Sequence, residues 1–307
     1  MKILVAEDEA VSRHRLQAFL RKWGYIVHIA VDGGEALRLL EQPDGPRLAV
    51  LDRMMPRLDG LDVCRSIRTT GAEPYIYIIL LTAQGQQQEI IEGFDAGADD
   101  YITKPFEIQE LKARVRTGAR IVELQEQLIS AREQLRVEAT HDSLTGLLNR
   151  AAFFEFYENE VGRAQRYGTR LALIMADIDH FKQINDQHGH LAGDAVLREV
   201  ARRLRVSIRE SDVIGRYGGE EFVVAAPNCT MTDAVALAER FRSTICAPAI
   251  DLPDAQLFVT MSLGVAAISD VNGADRLLHL ADEALYLAKH RGRNQVAAGS
   301  LVLSPSS

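Results

Sequence analysis

The first 118 residues alternate strand-sized apolar runs with amphipathic segments, and this alternation restricts the fold more than any other feature. Ile3–Ala6, Ile26–Ala30, Leu48–Leu51, Ile76–Leu81 and Tyr101–Thr103 read as strands. Between them Ser12–Trp23, Gly34–Leu40, Leu58–Ile67 and Glu89–Ala96 have helical periodicity, and another helix begins near Ile108. Five strands alternating with helices predict a doubly wound α/β sheet with parallel strands. In such a sheet the chemistry sits at the carboxyl ends of the strands. Those ends carry Glu7, Asp8 and Glu9, then Asp52, Thr82 and Lys104. An acid cluster can hold a divalent cation, and a lysine with a threonine hydroxyl can receive a dianionic group added to one of the acids. Asp8 or Asp52 alone reads as a turn residue or helix cap. Several strand ends with compatible chemistry read as one site. Glu9 and Asp32 are expected as surface charges.

The helix from Ile108 has no obvious stop. Up to Thr140 there is no proline and a single glycine, Gly118. Ile121, Leu124, Leu128, Ala131 and Leu135 form a heptad seam. An amphipathic helix lying on its own domain is one reading. A parallel coiled coil, and so a homodimer, fits the narrow seam better. About two heptads are weak alone, which suits a stalk that a small bias can rearrange.

Composition limits the function classes. At about 150 residues per domain, 307 residues suggest two domains. The net charge of −8 argues against nucleic acid as a bulk partner. The longest apolar run, Tyr75–Leu81, is far short of the roughly 18 residues of a membrane span, and Met1–Ala6 is too short for a signal peptide. Cys64, Cys229 and Cys246 are far apart and odd in number, as expected of buried thiols in a reducing cytoplasm.

The C-terminal half carries a second acidic site. The apolar run Leu171–Ala176 ends in Asp177-Ile178-Asp179-His180-Phe181-Lys182. Farther on, Asp212–Gly215 and Phe222–Ala226 flank Arg216-Tyr217-Gly218-Gly219-Glu220-Glu221, which reads as a hairpin with glycines at its turn. Glycine there accepts positive φ and lets a ligand approach the backbone. Gly-Gly-Glu-Glu alone would be a solvated hairpin tip. If the two strands are neighbours, however, Asp177 and Glu220 converge and require a hard cation such as Mg²⁺, which is commonly shared with substrate phosphates. Asp142-Ser143-Leu144-Thr145-Gly146-Leu147-Leu148-Asn149-Arg150 reads as a turn in which Thr145 or Asn149 caps the next helix.

From about Asp142 to Val296 these motifs resemble GGDEF-type diguanylate cyclases, with Glu220 where the family name has aspartate. The resemblance implies an α+β domain of palm-like type that condenses two GTP to cyclic di-GMP and two pyrophosphates across a dimer. It makes Asp177, Glu220 and Glu221 catalytic. With the Ile178 carbonyl they hold two Mg²⁺. Phe181, Lys182, Asn185, His190, Asp194, Gly218, Gly219, Lys289 and Arg293 become GTP-binding residues. Asn185 and Asp194 read guanine, while Lys289 and Arg293 grip the terminal phosphates. Without the resemblance Asn185 is a helix cap, Asp194 a helix-start residue, and the two cations a basic helix end. Arg209-Glu210-Ser211-Asp212 matches the inhibitory site for product, with Arg240 and Arg163 as secondary contacts.

The first 118 residues resemble the receiver domain of two-component response regulators. That resemblance implies that Asp52 is the phosphoacceptor and that Glu7, Asp8, Asp52 and the Met54 carbonyl hold one Mg²⁺. Thr82, Tyr101 and Lys104 become the switch, and Lys104–Pro105 a cis peptide. A sensor histidine kinase or phosphotransfer protein is the implied partner. The expected organisation is a flavodoxin-like receiver over 1–118, a coiled-coil linker over 119–141, the cyclase over 142–300 and a disordered tail over 301–307. A nucleotide-sensing binding module would have lost Asp177, Glu220 or Lys289. A transcription regulator would show a basic helix-turn-helix. The sequence fits neither.

Overall fold

The computed structural model describes residues 1–71, 73–83, 87–247, 249–252, 256–268 and 274–299, so the expected tail over 301–307 lies outside the described residues. The chain divides into two compact units, Met1–Glu133 and Gln134–Ser307. No helix among the described residues is long and apolar enough to cross a membrane.

The first unit runs β1 (Lys2–Ala6), α1 (Ala10–Lys22), β2 (Ile26–Ala30), α2 (Gly33–Leu40), β3 (Leu48–Asp52), α3 (Gly60–Thr70), β4 (Tyr77–Ala83), α4 (Gln87–Asp95), β5 (Asp100–Lys104) and α5 (Ile108–Thr140), which extends beyond Glu133. The strands pair in parallel in the order β2-β1-β3-β4-β5, the doubly wound sheet that the alternation predicts. Alternate residues of each strand face opposite sides. Leu4, Ala6, Ala49 and Leu51 pack against α2 and α3, whereas Ile3, Val5, Leu48 and Val50 pack against α1 and α5. Burial on both faces explains why these strands are continuous apolar runs.

Asp32 is not the surface charge expected. Its carboxylate is buried, caps α2 by accepting from the Glu35 N–H at 2.8 Å, and pairs with Arg57 at 3.3 Å. An aspartate before two glycines at a helix start is a capping signal that outweighs its charge.

On α5, Leu111, Val115, Gly118, Ala119 and Val122 are buried, so receiver packing continues past residue 118. Gly118 is required by close approach, because a Cβ there would lie 2.6 Å from the Tyr77 ring. Ile121 packs partly against the same core. The rest of the seam is uncovered in the single chain, with Leu124, Leu128 and Leu135 at 54, 62 and 65% exposure.

The second unit runs α6 (Arg150–Tyr167), β6 (Leu171–Ile178), α7 (Phe181–His188), α8 (His190–Val206), β7 (Val213–Gly218), β8 (Glu221–Pro227), α9 (Met231–Cys246), β9 (Ile250–Asp251), β10 (Gln256–Leu257), β11 (Met261–Ile268), α10 (Ala274–His290) and β12 (Val296–Ala298). Its main sheet has the order β12-β11-β6-β8-β7, antiparallel except for the β11–β12 pair. This is the α+β layout expected of the second domain. Ala172, Ile174 and Ala176 pack against α8 and α9, and Leu171, Leu173 and Met175 against α6 and α10. Gly264 lets α10 lie directly on β11, since a Cβ there would meet the Ala281 carbonyl oxygen at 2.1 Å.

Candidate functional site

In the first unit, three strand ends converge. Ligand atoms of Glu7, Asp8 and Asp52 all lie within 4.8 Å of one another. Lys104 Nζ donates to Glu7 Oε2 at 2.7 Å and to Asp52 Oδ2 at 2.8 Å. Burial raises the Glu7 carboxyl above its usual range, and Asp52 beside it adds to the rise although Lys104 opposes it. Burial works against the Lys104 ammonium, but its bonds to Asp52 and Glu7 outweigh this and raise it. An all-oxygen acidic set with one solvent-exposed member, Asp8, has the chemistry of a Mg²⁺ site that keeps waters. Met54 is exposed two residues beyond Asp52.

Thr82 follows Leu81, the register partner of Asp52 on β4. Its Oγ1 is buried and has no hydrogen-bond partner. An orphaned buried hydroxyl costs free energy, and this one sits one residue beyond the register partner of Asp52. Tyr101 on β5 is half-buried, makes an edge contact with Phe94 at 5.6 Å, and lines a small cavity with Thr82 and Phe94. The Lys104–Pro105 peptide is cis.

In the second unit the sheet order makes β6 the neighbour of both β8 and β11. Asp177 is in register with Glu221 on β8 and with Ser262 on β11. The acid directly across from Asp177 is therefore Glu221. Glu220 stands on the turn just before it, and its carbonyl accepts from the Ile178 N–H at 3.3 Å. Asp177 is buried and pairs with Lys289 Nζ at 2.7 Å. Burial pushes its carboxyl up to about 6. Lys289 opposes the rise, and Glu220 and Glu221 add to it. Such crowded carboxylates suit a hard cation. Among the described residues, only the receiver triad is as tight as 4.8 Å.

The hairpin tip is strapped down. Gly219 takes φ 48°. Arg216 donates through Nε and Nη2 to the Gly219 carbonyl at 2.9 and 2.7 Å, and through Nη1 to both Asp142 oxygens at 3.1 and 3.0 Å. Asp142 also accepts from the Thr145 N–H and hydroxyl. Burial raises the Asp142 carboxyl, but the Thr145 bonds and Arg216 outweigh this and hold it below its usual range. Of the two proposed caps, Asn149 is the one that caps α6, accepting from the Ala152 N–H at 3.0 Å.

The remaining nucleotide candidates surround this sheet end. Phe181 is buried at the first turn of α7, while Lys182 and His190 are exposed. Gly193 makes room for Asn185, whose Oδ1 would lie 1.9 Å from a Cβ at that position, and Asp194 is the next residue on α8. Lys289 lies in the last turn of α10 and Arg293 is exposed in the turn beyond it. At the Arg209–Asp212 motif, Asp212 is buried and its Oδ2 accepts from the Arg209 N–H at 3.0 Å. Arg240 reaches the same loop, donating to the Ser207 carbonyl at 2.6 Å. Arg163 pairs with Glu160 on its own helix at 2.8 Å, and among the described residues no hydrogen bond links it to Arg209 or Asp212. Sequence reasoning passed over Arg216 and Asp179. The available signal was a charged side chain within an apolar strand for Arg216, and a second acid within one short motif for Asp179.

The family described as diguanylate cyclase, GGDEF domain, matches residues 139–295, and that described as response regulator receiver domain matches residues 3–116. The chain belongs to the GGDEF diguanylate cyclase family and carries a receiver domain ahead of the GGDEF domain. It is similar to the response regulator PleD of Caulobacter vibrioides, 31% identical over 299 residues, which cover 96% of this chain and 65% of PleD. The chain thus spans less than two thirds of that relative. The diguanylate cyclase DgcP of Pseudomonas aeruginosa is 44% identical over 164 residues, covering 53% of this chain and 24% of DgcP. Among solved structures, the coiled coil and GGDEF domain of DgcB from Caulobacter crescentus, in complex with c-di-GMP, matches with a TM-score of 0.56 at 32% identity, covering 61% of this chain and 98% of that one.

Proposed function

We propose that the second unit condenses two GTP to cyclic di-GMP and two pyrophosphates, under control of phosphorylation at Asp52. The observation that carries this reading is the sheet end at which Asp177 faces Glu221, adjoins Glu220 and bonds Lys289. Each domain takes one GTP. Asn185 and Asp194 meet the guanine edge. The first-turn N–H groups of α7, with Lys182, Lys289 and Arg293, hold the phosphates. Phe181, His190, Gly218 and Gly219 complete the pocket. The 3′-oxygen of one GTP forms a bond to the α-phosphorus of the other as the bond to the α,β-bridging oxygen breaks. Pyrophosphate leaves, and the Glu220 carboxylate takes the hydroxyl proton. A second exchange closes the ring. Asp177, Glu220, Glu221 and the Ile178 carbonyl would hold two Mg²⁺ with GTP, and Glu7, Asp8, Asp52 and the Met54 carbonyl would hold one in the receiver. When bound, the metal lowers the pKa of the attacking hydroxyl and offsets charge at phosphorus.

One domain holds half of the reactants, so the reaction needs a homodimer. The uncovered Leu124, Leu128 and Leu135 seam supports one, and tethering raises the effective concentration of the second domain. In the receiver, Asp52 takes a phosphoryl group from a sensor histidine kinase or phosphotransfer protein. Lys104 Nζ and the unpartnered Thr82 Oγ1 receive its oxygens, and Tyr101 follows Thr82. Arg209 and Asp212, with Arg240 and Arg163, bind product and inhibit. The free cysteines support a cytoplasmic location. Chromatography of GTP and Mg²⁺ incubated with the protein tests the chemistry. Cyclic di-GMP from the wild type and none from Glu220→Gln is expected. None from the wild type, at concentrations where it dimerises, contradicts the reading.

A further inference from the structure

The reaction above gives Asp179 no step, although it is buried within the candidate site at 4% exposure. Its Oδ2 accepts from Thr260 Oγ1 at 2.7 Å and from the Asn294 N–H at 3.0 Å, and its Oδ1 accepts from Ser262 Oγ at 2.7 Å. Its own N–H donates to the Thr260 carbonyl at 2.9 Å. A buried carboxylate with this many donors is satisfied by protein alone.

The donors come from two places. Thr260 and Ser262 belong to β11 and the residue leading into it. Asn294 belongs to the turn after α10. In that turn Arg293 and Asn294 take φ 62° and 45°, successive left-handed conformations at residues other than glycine. Such backbone persists only where its surroundings hold it. The Asp179–Asn294 bond is one hold, and the bond from Arg242 Nη1 to Asn294 Oδ1 at 3.0 Å is another. Asp179 directly follows Ile178 and stands two residues after Asp177, while Asn294 directly follows Arg293.

We infer that Asp179 is a positioning residue whose carboxylate fixes the Asp177–Ile178 strand end and the Arg293 turn relative to each other, so that acidic and phosphate-gripping groups meet on one nucleotide. It is neither ligand nor base. The inference rests on the proposed cyclase reading. The hydrogen bonds say what each substitution does. In Asp179→Asn the amide oxygen keeps Thr260 and Asn294, and the amide N–H₂ donates to Ser262 Oγ, whose hydroxyl turns to accept. In Asp179→Ala all three side-chain bonds are lost.

The test uses the full chain as wild type, Asp179→Asn, Asp179→Ala and Ser262→Ala. Product formation with GTP and Mg²⁺ is measured beside melting temperature and guanosine affinity in chelator, by competition with a fluorescent GTP analogue. A displacement of about 1 Å at a reacting centre costs up to about 100-fold, so Asp179→Ala is expected to lower kcat by at least about 30-fold. Asp179→Asn should stay within about threefold of wild type, as only frame and not charge is needed. Guanosine affinity should be unchanged, because Asn185 and Asp194 are untouched. Ser262→Ala should lower kcat about threefold with only a small drop in melting temperature from the lost donor. Asp179→Asn as inactive as Asp179→Ala would make the carboxylate a direct participant and overturn the inference, as would Asp179→Ala at wild-type kcat. If Asp179→Ala unfolds, Ser262→Ala decides, and an unchanged kcat there overturns it. A wild type that makes no product overturns the cyclase reading and this inference with it. An active wild type with the wrong variant pattern overturns only the inference.

Discussion

Asp177→Asn should stabilise the metal-free protein while abolishing its proposed activity. Asp177 is buried with its side chain 10% exposed, and its carboxyl is pushed up to about 6 from 3.8. A folded-state pKa above the unfolded one means that the folded state binds the proton more tightly. The stability contributed by that proton is therefore full below pH 3.8 and is lost as pH rises through 6. Ionising Asp177 thus costs about 3 kcal/mol at neutral pH, from a gap of about 2 pH units at about 1.4 kcal/mol each. Asparagine removes that cost. It also leaves Lys289 without its ion pair, although an amide oxygen can still accept from the ammonium. The net gain should be about 1–2 kcal/mol at pH 7.5, or roughly 3–6 °C in the melting of a domain this size. Thermal or urea unfolding of both proteins, in chelator and without nucleotide, measures it at pH 7.5 and again near pH 4. The advantage should be present at the higher pH and vanish at the lower. An Asp177→Asn protein that is no more stable at pH 7.5, or that differs equally at both pH values, would refute the argument that the acids are crowded at a stability cost. A site held for function at the expense of stability is what that cost implies.

Other expectations come from separate parts of the molecule. Thr82→Val replaces a buried unpartnered hydroxyl by an isosteric methyl. It should stabilise the receiver by about 1 kcal/mol yet remove any response to the phosphoryl mimic beryllofluoride, as seen by melting and product assays side by side. Leu128→Glu places a charge on the exposed seam of α5, and light scattering should show the proposed dimer shifted to monomer with activity per chain becoming concentration-dependent. Glu199 is held at about 2 by Arg202 and then Arg203, so its contribution is present above pH 4.5 and lost as pH falls toward 2. With Arg202 63% exposed, solvent screening leaves about 1 kcal/mol, and acid titration of Glu199→Gln should show that difference shrink below pH 4.5. Arg203→Met should cost more, since its buried guanidinium also donates to the Ile245 and Ala249 carbonyls.

The receiver was legible because its strands are buried on both faces and its reactive groups must fall at their ends. Glu7, Asp52, Thr82 and Lys104 could be grouped from strand boundaries alone, and the observed order β2-β1-β3-β4-β5 brings Glu7 and Asp52 onto Lys104, with Thr82 one residue past the register partner of Asp52. In the second unit the sequence indicated which segments were strands but not their register. Asp177 and Glu220 were expected to converge and do act on each other, but the sequence did not reveal that Glu221 is the residue in register opposite Asp177. The local apolar pattern fixes which face of a strand is buried, but for strands that no tight turn joins, such as β6 and β8, it does not by itself choose the partner residue. The same limit hid Asp179, whose side-chain partners are 81 to 115 residues away in sequence, and the bond from Arg216 to Asp142, 74 residues away. Asp32 failed differently. Its charge suggested the surface, but a local capping bond and Arg57 buried it. The end of the receiver was also blurred, because the face of α5 that carries Val115 continues through Val122 without a break in helical pattern.

The central claim is that phosphorylation of the first unit governs a cyclase in the second. Its most direct test is the rate of cyclic di-GMP formation from GTP and Mg²⁺, measured chromatographically with and without beryllofluoride in the wild type and in Asp52→Asn. The account predicts a rise with beryllofluoride in the wild type and none in Asp52→Asn. Equal rates in all four conditions would leave a cyclase without the switch and contradict the claim.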